Sequence, residues 1–237
     1  GNILYQGQDL TSLNPNELRP FRRQMQMIFQ DPFASLNPRM TVGETIAEPM
    51  VVHGITDKSG ASEKSVEILK KVGLTADYVS RYPHELSGGQ RQRIGIARAL
   101  AHEPNLIIAD EAVSALDVSI QAQVVNLMME LQEEFGLSYL FISHDMAVIE
   151  RVCHRVAVMY LGEIVELGTR SQVFENPKHP YTKKLMSAVP IADPKLRKKE
   201  LNLMTDEIPS LVKPIGYEPE KIDLIKIEEG HYIKPYN

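Results

Sequence analysis

The chain has little of what marks several common protein classes. Its 237 residues include one cysteine, Cys153, so neither an internal disulfide nor a multi-cysteine metal site can form, and the composition fits a reducing compartment. No apolar run approaches the roughly 18 residues of a membrane span, and the N-terminal residues lack the basic and apolar stretches of a targeting segment. If the chain works at a membrane, other subunits must hold it there.

Positive charge is also scarce. The formal net charge is −5 and the sequence pI is near 5.8, so the sequence offers no basic face of the kind that nucleic acid requires. The apolar fraction of 43% is sufficient for a sizeable core, in one domain or two small ones. These properties predict a globular chain whose partners do not include nucleic acid.

The chain contains no phosphate loop. Such a loop needs Gly, four residues and then Gly-Lys-Ser/Thr, so that backbone N–H groups wrap the phosphates and the lysine reaches the β and γ groups. No Gly-Lys pair occurs in these residues, and the nearest imitation, Gly54 to Ser59, has the wrong spacing.

The sequence pattern of the first part of the chain predicts a strand and a turn, followed by a second strand and then a helical segment. Asn2 to Leu10 has the pattern of a strand and a turn at Gly7, and the apolar run Met25 to Phe29 predicts a strand that stops before Asp31-Pro32, because proline disfavours helical geometry in the residue before it. Three helical patterns then follow and predict a mostly helical insert over residues 43–102: Gly43 to Val52, Ala61 to Val72 and Gly89 to His102.

After Pro104 the pattern alternates between strands and helices. Strands separated by helices predict crossover connections and a parallel sheet covered on both faces. The predicted strands are Leu106 to Ala109, Ser138 to Ile142 and Arg155 to Met159, and the predicted helices are Val118 to Phe135, Met146 to Val152 and, after one more short strand, Tyr181 to Ala188. The residues beyond Pro190 are charged and proline-punctuated, which predicts a tail rather than a second core.

Two carboxylates, Asp110 and Glu111, directly follow the buried strand at Leu106. Ligands of open parallel sheets lie outside the carboxyl ends of the strands, so a metal-bound phosphate would be met here. Aspartate could help to hold Mg²⁺ while glutamate polarises the attacking water. A pair of solvated loop acids is the simpler alternative, and this pair alone does not decide between them.

The run Leu86-Ser87-Gly88-Gly89-Gln90 also has two interpretations. Serine with glutamine three residues later is a capping box, which explains Ser87 and Gln90 as a helix start. Two glycines in the first turn each destabilise a helix by about 0.8 to 1 kcal/mol relative to alanine, so a capping box does not explain them. A helix N-terminus without side chains lets an anion approach its N–H groups, which favours phosphate contact.

Two further polar residues follow predicted strands. His144 comes after the strand Ser138 to Ile142, where Ser143 could simply cap the next helix, and Gln30 ends the run at Met25. Each residue has a structural alternative. The same edge of the predicted sheet would nevertheless bring both close to the Asp110-Glu111 pair, where histidine could sense a terminal phosphate and glutamine could orient a water or touch a metal-bound oxygen.

The order and spacing of these elements resemble the ATP-binding cassette (ABC) ATPases over about residues 1–190. The matching residues are similar to the Q-loop, signature motif, Walker B with its catalytic glutamate, D-loop and switch histidine of that family, and they are Gln30, Leu86 to Gln90, Leu106 to Glu111, Ser114 to Asp117 and His144. The resemblance implies catalytic roles for Glu111, His144 and Gln30, and a metal-binding role for Asp110 together with Gln30. It implies nucleotide contacts for Ser87, Gly88, Gly89, Gln90 and Asp117.

Longer stretches resemble the oligopeptide/dipeptide importer branch of that family. They are Phe29 to Pro38, Asp117 to Gln123, Asn176 to Thr182 and the arginine-rich Arg19 to Arg23. The resemblance implies ATP and Mg²⁺ as cofactors, a second ATPase subunit in a homo- or heterodimer, two membrane permease subunits and an extracytoplasmic solute-binding protein. It implies a peripheral position on the cytoplasmic face of the membrane. The solute could be a peptide, nickel or another small solute.

The family resemblance implies an α/β fold with a P-loop NTPase-like core, a parallel-rich sheet with flanking helices, and a helical subdomain. The corresponding divisions are residues 1–42 and 103–190 for the core, 43–102 for the helical subdomain and 191–237 for a C-terminal extension. Relatives carry the phosphate loop upstream of the stretch resembling Gly1 to Leu10, so the sequence predicts an N-terminal truncation with part of the core missing.

In the family the phosphate loop of one subunit faces the signature of the other. The signature could therefore act on the ATP of a partner, while the chain itself could not hold ATP.

The first hypothesis is an importer ATPase subunit that drives peptide uptake but lacks its own phosphate loop, and two alternatives to it remain at this point. The chain could be a non-catalytic partner that supplies only its signature face to an intact subunit. It could also be a relative in DNA repair or chromosome architecture, but such proteins would show long heptad repeats or a basic face, and the sequence has neither.

Ala112 stands where the family usually has proline, which leaves both neighbouring carboxylates in place.

Overall fold

The computed structural model describes residues 1–31, 34–188 and 222–236. The chain divides into two compact units, Gly1–His144 and Asp145–Asn237. The candidate site residues from Gln30 to His144 all belong to the first unit.

The first unit begins with a short antiparallel hairpin. Strand β1 (Leu4–Tyr5) pairs with strand β2 (Gln8–Asp9), and the two turn residues, Gln6 and Gly7, have φ angles of 49° and 82°. Positive φ at both central positions is typical of the tight turns that match the twist of a hairpin. The predicted strand and turn are confirmed.

Helix α1 (Pro15–Gln24) follows this hairpin and has no predicted counterpart in the sequence patterns. Asn14 caps it by accepting hydrogen bonds from the backbone N–H groups of Asn16 and Glu17, and the Glu17 side chain accepts from the Asn14 N–H. This capping box satisfies N–H groups that have no partner inside the helix. None of the helix's residues is buried, so α1 lies on the surface of the unit.

The centre of the first unit is a parallel sheet of three strands. Strands β3 (Met25–Ile28), β4 (Leu106–Asp110) and β5 (Ser138–Ile142) lie side by side in that order. Helix α5 (Val118–Phe135) makes the crossover from β4 to β5, as parallel strands require. The predicted parallel sheet is confirmed for these strands, and their carboxyl ends meet at one edge.

Helices occupy most of the segment between β3 and β4. They are α2 (Val42–Val52), α3 (Lys58–Lys71) and α4 (Gly88–Leu100), with single 3-10 turns at Ala76–Ser80 and Pro83–Glu85. Their contacts bury an apolar cluster that includes Ile46, Met50, Leu69, Ile94 and Ile96. The three predicted helical patterns are confirmed, although α3 begins earlier because Asp57 accepts a hydrogen bond from the Gly60 N–H and caps it.

The second unit contains helices and an antiparallel sheet. Its helices are α6 (Met146–Val152), α7 (Arg170–Glu175) and α8 (Pro180–Ser187). Its strands are β6 (Arg155–Tyr160), β7 (Glu163–Thr169), β8 (Ile225–Glu228) and β9 (His231–Ile233), arranged in the order β6-β7-β9-β8.

Two predictions fail in this unit. The strand at Arg155 was predicted to extend the parallel sheet, but β6 forms a hairpin with β7 through Leu161 and Gly162, whose φ angles are 51° and 84°. A two-residue turn reverses the chain, so the pairing must be antiparallel. The prediction of a tail beyond Pro190 is wrong for residues 222–236, because β8 and β9 complete the sheet. Residues 191–221 lie outside the described part.

A buried hydrogen bond between two side chains attaches β9 to the sheet. The carboxylate of Glu166 on β7 lies 2.8 Å from Nε2 of His231 on β9, and both side chains are inaccessible to solvent. The same carboxylate accepts hydrogen bonds of 2.9 Å from the backbone N–H groups of Lys178 and His179. One acidic side chain therefore connects three separate segments of the second unit.

Candidate functional site

Glu111 follows the end of β4 and has a constrained backbone. Its φ angle is 47°, a conformation that is uncommon for a residue other than glycine. Its N–H donates to the carbonyl of Ile142 at 2.9 Å, and its own carbonyl accepts from both the N–H and the hydroxyl of Ser114 at 3.0 Å. Hydrogen bonds on both sides therefore hold the backbone of Glu111 in place.

The Glu111 side chain lies between two polar residues from the neighbouring strands, and we call these three residues the Glu111 cluster. Nε2 of Gln30 donates to Oε2 of Glu111 at 2.6 Å, and Nδ1 of His144 lies 3.3 Å from Oε1 of Glu111. The Glu111 side chain is 28% exposed and that of His144 is 72% exposed. The structure thus joins residues that are 81 and 33 positions apart in the sequence, at an edge that solvent can reach.

The carboxylate and amide oxygens at this edge of the sheet suit a hard cation, such as magnesium, that is also coordinated by a bound ligand. Asp110 is the last residue of β4, immediately before Glu111, and is partly exposed. Across the described residues, no group of three or more histidine, cysteine, aspartate or glutamate side chains is placed to hold a metal ion. Magnesium commonly binds through one or two carboxylates and completes its coordination with water and substrate phosphates. The residues present fit that mode and do not form an all-protein cage.

Ser87 and Gln90 form the helix start that the capping-box interpretation predicts. Ser87 Oγ accepts from the Gln90 N–H at 3.3 Å, and Gln90 Oε1 accepts from the Ser87 N–H at 2.9 Å. Nε2 of Gln90 in turn donates to the hydroxyl of Tyr78 at 2.8 Å. Both ends of the Gln90 amide are therefore used within the chain. The predicted nucleotide contact of Gln90 remains a prediction.

The two glycines of this turn, Gly88 and Gly89, differ in how much space surrounds them. A Cβ on Gly89 would lie 2.5 Å from Cγ2 of Ile120 on α5, whereas a Cβ on Gly88 would meet its nearest neighbour, Cδ2 of Leu116, at 3.7 Å. Gly89 therefore has a packing reason within the chain, because α4 starts in close contact with α5. Gly88 has no such packing reason, and its predicted contact with an anion remains a prediction.

Alanine at these two positions is expected to change stability in opposite directions. Gly88→Ala should stabilise the fold by up to about 1 kcal/mol through helix propensity. Gly89→Ala should lose about 1 to 3 kcal/mol to overpacking against Ile120, which outweighs the propensity gain. Urea unfolding of both variants checks the difference. In an Ile120→Ala background the clash is removed, so Gly89→Ala should then be stabilising, and a cost that persists there would contradict the packing explanation.

Asp117 caps α5. Its carboxylate accepts from the Ile120 N–H at 3.0 Å and from the Ser119 hydroxyl at 2.9 Å. The backbone hydrogen bond from Ile120 and then the Ser119 hydroxyl lower the pKa of Asp117 below its usual value. Helix capping accounts for these contacts, and the predicted nucleotide contact of Asp117 stays a prediction.

The arginines of α4 have a role that the sequence patterns do not indicate. Guanidinium groups of Arg91 and Arg93 each donate to a backbone carbonyl at 2.7 Å, that of Pro83 and that of Val72. Arg98 donates to the carbonyl of Ser35, just beyond Gln30 in the chain. These bonds connect α4, the helix that begins at the signature-like run, to the segments around Pro83, Val72 and Ser35. A single sequence gives no signal for them, because their acceptors are carbonyls that any residue provides.

The described helices include none that is both long and apolar enough to cross a membrane.

Comparison with family models gives two matches. Residues 1–114 match the model described as ABC transporter. Residues 165–216 match the model described as oligopeptide/dipeptide transporter, C-terminal region. The two matches lie in the order that the resemblance at the sequence level implies.

Curated relatives and solved structures agree with these matches. Proteins named glutathione import ATP-binding protein GsiA are 57% identical over 233 residues in Pectobacterium atrosepticum and 54% identical in Escherichia coli K12. These matches cover 98% of this chain, which spans 37% of the length of those relatives.

Among solved structures, the ATP-binding cassette MJ0796, described as dimeric, post-hydrolysis and bound to ADP and Pi, has a TM-score of 0.64 at 29% identity. That match covers 72% of this chain and 73% of the other. For cbiO1 of the cbiONQ ABC transporter complex from Clostridium perfringens, the TM-score is 0.66 at 26% identity, with 74% and 68% covered.

Proposed function

The chain belongs to the ABC transporter ATPase family, with the C-terminal region of the oligopeptide/dipeptide branch, and on this premise we propose that it energises the import of a small peptide. The relatives named above are glutathione import proteins, and glutathione is itself a short peptide. The observation that supports an ATPase role best is the convergence of Gln30 and His144 on the Glu111 carboxylate.

Each residue of the Glu111 cluster has a chemical task in this proposal. Where a phosphate loop presents a nucleotide to this edge of the sheet, Glu111 would accept a proton from the attacking water, with Gln30 and His144 holding its two carboxylate oxygens in place. Asp110 would hold Mg²⁺ together with the amide oxygen of Gln30, and the ion would supply charge neutralisation at the phosphates. Ser87 and Gly88 would present the start of α4 to a second nucleotide, held by a partner subunit.

The proposed assembly has the composition that its family implies. It contains a second ATPase subunit, two permease subunits and an extracytoplasmic solute-binding protein, and this chain lies peripherally on the cytoplasmic face of the membrane. The cofactors are ATP and Mg²⁺. The Glu111 cluster offers no phosphate loop of its own, since no Gly-Lys pair occurs in these 237 residues. We therefore propose that the chain by itself does not hold ATP at that cluster.

The open start of α4, where a Cβ on Gly88 would have no neighbour nearer than 3.7 Å, favours a second candidate, a non-catalytic partner that supplies only the signature to an intact ATPase subunit. The two candidates share a first test, which is equilibrium dialysis of the isolated 237-residue chain with labelled Mg-ATP. No binding at micromolar nucleotide is expected, because neither backbone N–H groups nor a lysine surround the phosphates. Micromolar binding would contradict the proposal that the chain cannot hold ATP.

The second test separates the candidates from an inert fragment. The chain is mixed with an ATPase subunit of the same importer type that has an intact phosphate loop and arginine in place of its own signature serine. Restored ATP hydrolysis, measured as phosphate release, is expected because the chain contributes a working signature. Absence of restored hydrolysis in a mixture that forms a complex would exclude both candidates for this chain.

A further inference from the structure

A second concave site lies in the first unit, at the opposite end of the parallel sheet from the Glu111 cluster. Gln24 precedes β3 and Asn105 precedes β4, whereas the cluster follows the carboxyl ends of these strands. Strands rise about 3.3 Å per residue, so roughly 13 to 16 Å of sheet separates the two sites. A ligand in this groove would therefore not be the nucleotide.

The groove is open to solvent and offers about 690 Å³ of space between α1, the end of α2 and the start of β4, a volume within the range of ligand sites. Arg19 and Arg23, one turn apart on α1, line it together with His53, Gln24, Glu103 and Asn105. Few of the groups that line it are apolar. The groove thus suits a polar ligand.

The lining of this groove carries a net positive charge, although the chain as a whole is acidic. Arg23 lies 3.3 Å from Glu103, and the same carboxylate lies 3.3 Å from Lys64. Arg19 donates to the carbonyl of Val52 at 3.3 Å. Each guanidinium carries five N–H donors, so both arginines retain donors beyond these contacts. Arg19 and Arg23 against the single carboxylate of Glu103 leave the lining of the groove with an excess of one positive charge for an anionic group.

Carboxamides supply the other half of the recognition chemistry. Oε1 of Gln24 is buried and has no hydrogen-bond partner among the described residues, although buried polar atoms usually have one. Asn105 adds a second, exposed carboxamide. An amide side chain both donates and accepts, which matches the N–H and C=O groups of a peptide backbone.

We propose that this groove binds an extended, acidic peptide segment of a partner protein. Side-chain carboxylates of the segment pair with Arg19 and Arg23, and a backbone N–H of the segment donates to the exposed Asn105 carboxamide. The proposal goes beyond the ATPase function, and no step of it needs nucleotide.

The test uses the 237-residue chain and two terminally blocked tetrapeptides, Glu-Ala-Glu-Ala and its neutral match Gln-Ala-Gln-Ala. Titration is followed by NMR through the arginine Nε–H signals and by calorimetry at low salt. The acidic peptide should shift the signals of Arg19 and Arg23 and bind about tenfold more tightly than the neutral one. Arg19→Gln and Arg23→Gln should each weaken binding of the acidic peptide by about the same factor.

Arg22→Gln is the matched control, because Arg22 lies on the same helix but does not line the groove. This variant should keep the affinity of the unmodified chain. Equal binding of the two tetrapeptides, or equal losses in Arg22→Gln and Arg19→Gln, would overturn the proposal. Tighter binding of a short DNA oligonucleotide in the same groove would overturn it as well, since it would identify a site for anionic polymers in general.

Discussion

Replacing Glu166 with alanine is expected to destabilise the second unit by about 3 to 5 kcal/mol, the usual cost of removing one partner of a buried pair. The carboxylate is the common acceptor for His231 and for the N–H groups of Lys178 and His179. All three donors would remain buried or half-buried without it. Urea unfolding measures the loss, and hydrogen exchange of the β9 amides shows whether the last strand detaches first.

Two variants show whether the loss is specific. Glu166→Gln keeps an acceptor oxygen but adds an NH₂ group among donors, so an intermediate cost of about 1 to 3 kcal/mol is expected. Glu163→Gln, on the same strand, removes an exposed partner of Lys234 and should cost no more than about 1 kcal/mol. Equal losses in Glu163→Gln and Glu166→Ala would show that burial of the Glu166 pair has no special importance.

The same residue gives this destabilisation a pH dependence. Burial alone would raise the pKa of Glu166, but hydrogen bonds from Lys178, His231 and His179 outweigh it and hold the pKa below its ordinary value. A lowered native pKa means that the unfolded chain binds more protons in the acid range, so stability rises with pH there. The difference between the unmodified chain and Glu166→Ala should therefore shrink as the pH falls below about 4.

The Glu166 pair also shows where prediction from the sequence ends. Local patterns predict β5 and α5 at their observed bounds, because an apolar run or a capped helix carries its signal within a few residues. The pairing of Glu166 with His231 spans 65 residues, and a strand as short as β9 has no periodicity of its own. The hairpin of β6 and β7 depends on the two-residue turn at Leu161 and Gly162, whose leucine gave no turn signal.

The Glu111 cluster was predictable for a different reason. Its members are far apart in sequence, but each follows a strand, and the carboxyl ends of parallel strands meet at one edge. The parallel topology of the sheet, rather than a local sequence pattern, therefore predicted that Gln30 and His144 lie near Glu111. The positive φ of Glu111 and the contact between Gly89 and Ile120 depend on how elements pack. No spacing rule encodes such packing, so both features required the structure.

Within the proposed function, the signature and the Glu111 cluster are expected to respond differently to mutation. In the mixture with an intact ATPase subunit, Ser87→Arg should reduce restored hydrolysis by about 10²-fold or more, the scale associated with losing one preorganised donor at a reacting phosphate or oxyanion. The added side chain would also occupy the space beside Gly88 that the phosphate needs. Glu111→Gln should leave the rate within about twofold, because the nucleotide being hydrolysed is held by the partner and faces Ser87.

Phosphate release at saturating ATP measures both rates, and complex formation measured by sedimentation shows that each variant still associates with the partner. The Glu111→Gln substitution keeps one acceptor oxygen beside Gln30 and His144, so the edge of the sheet should remain folded. A loss with Glu111→Gln as large as that with Ser87→Arg would mean that the cluster takes part in hydrolysis within this complex. The proposal that this chain cannot hold ATP at its own cluster would then be wrong, because a carboxylate at a site without nucleotide does not contact the reacting phosphate.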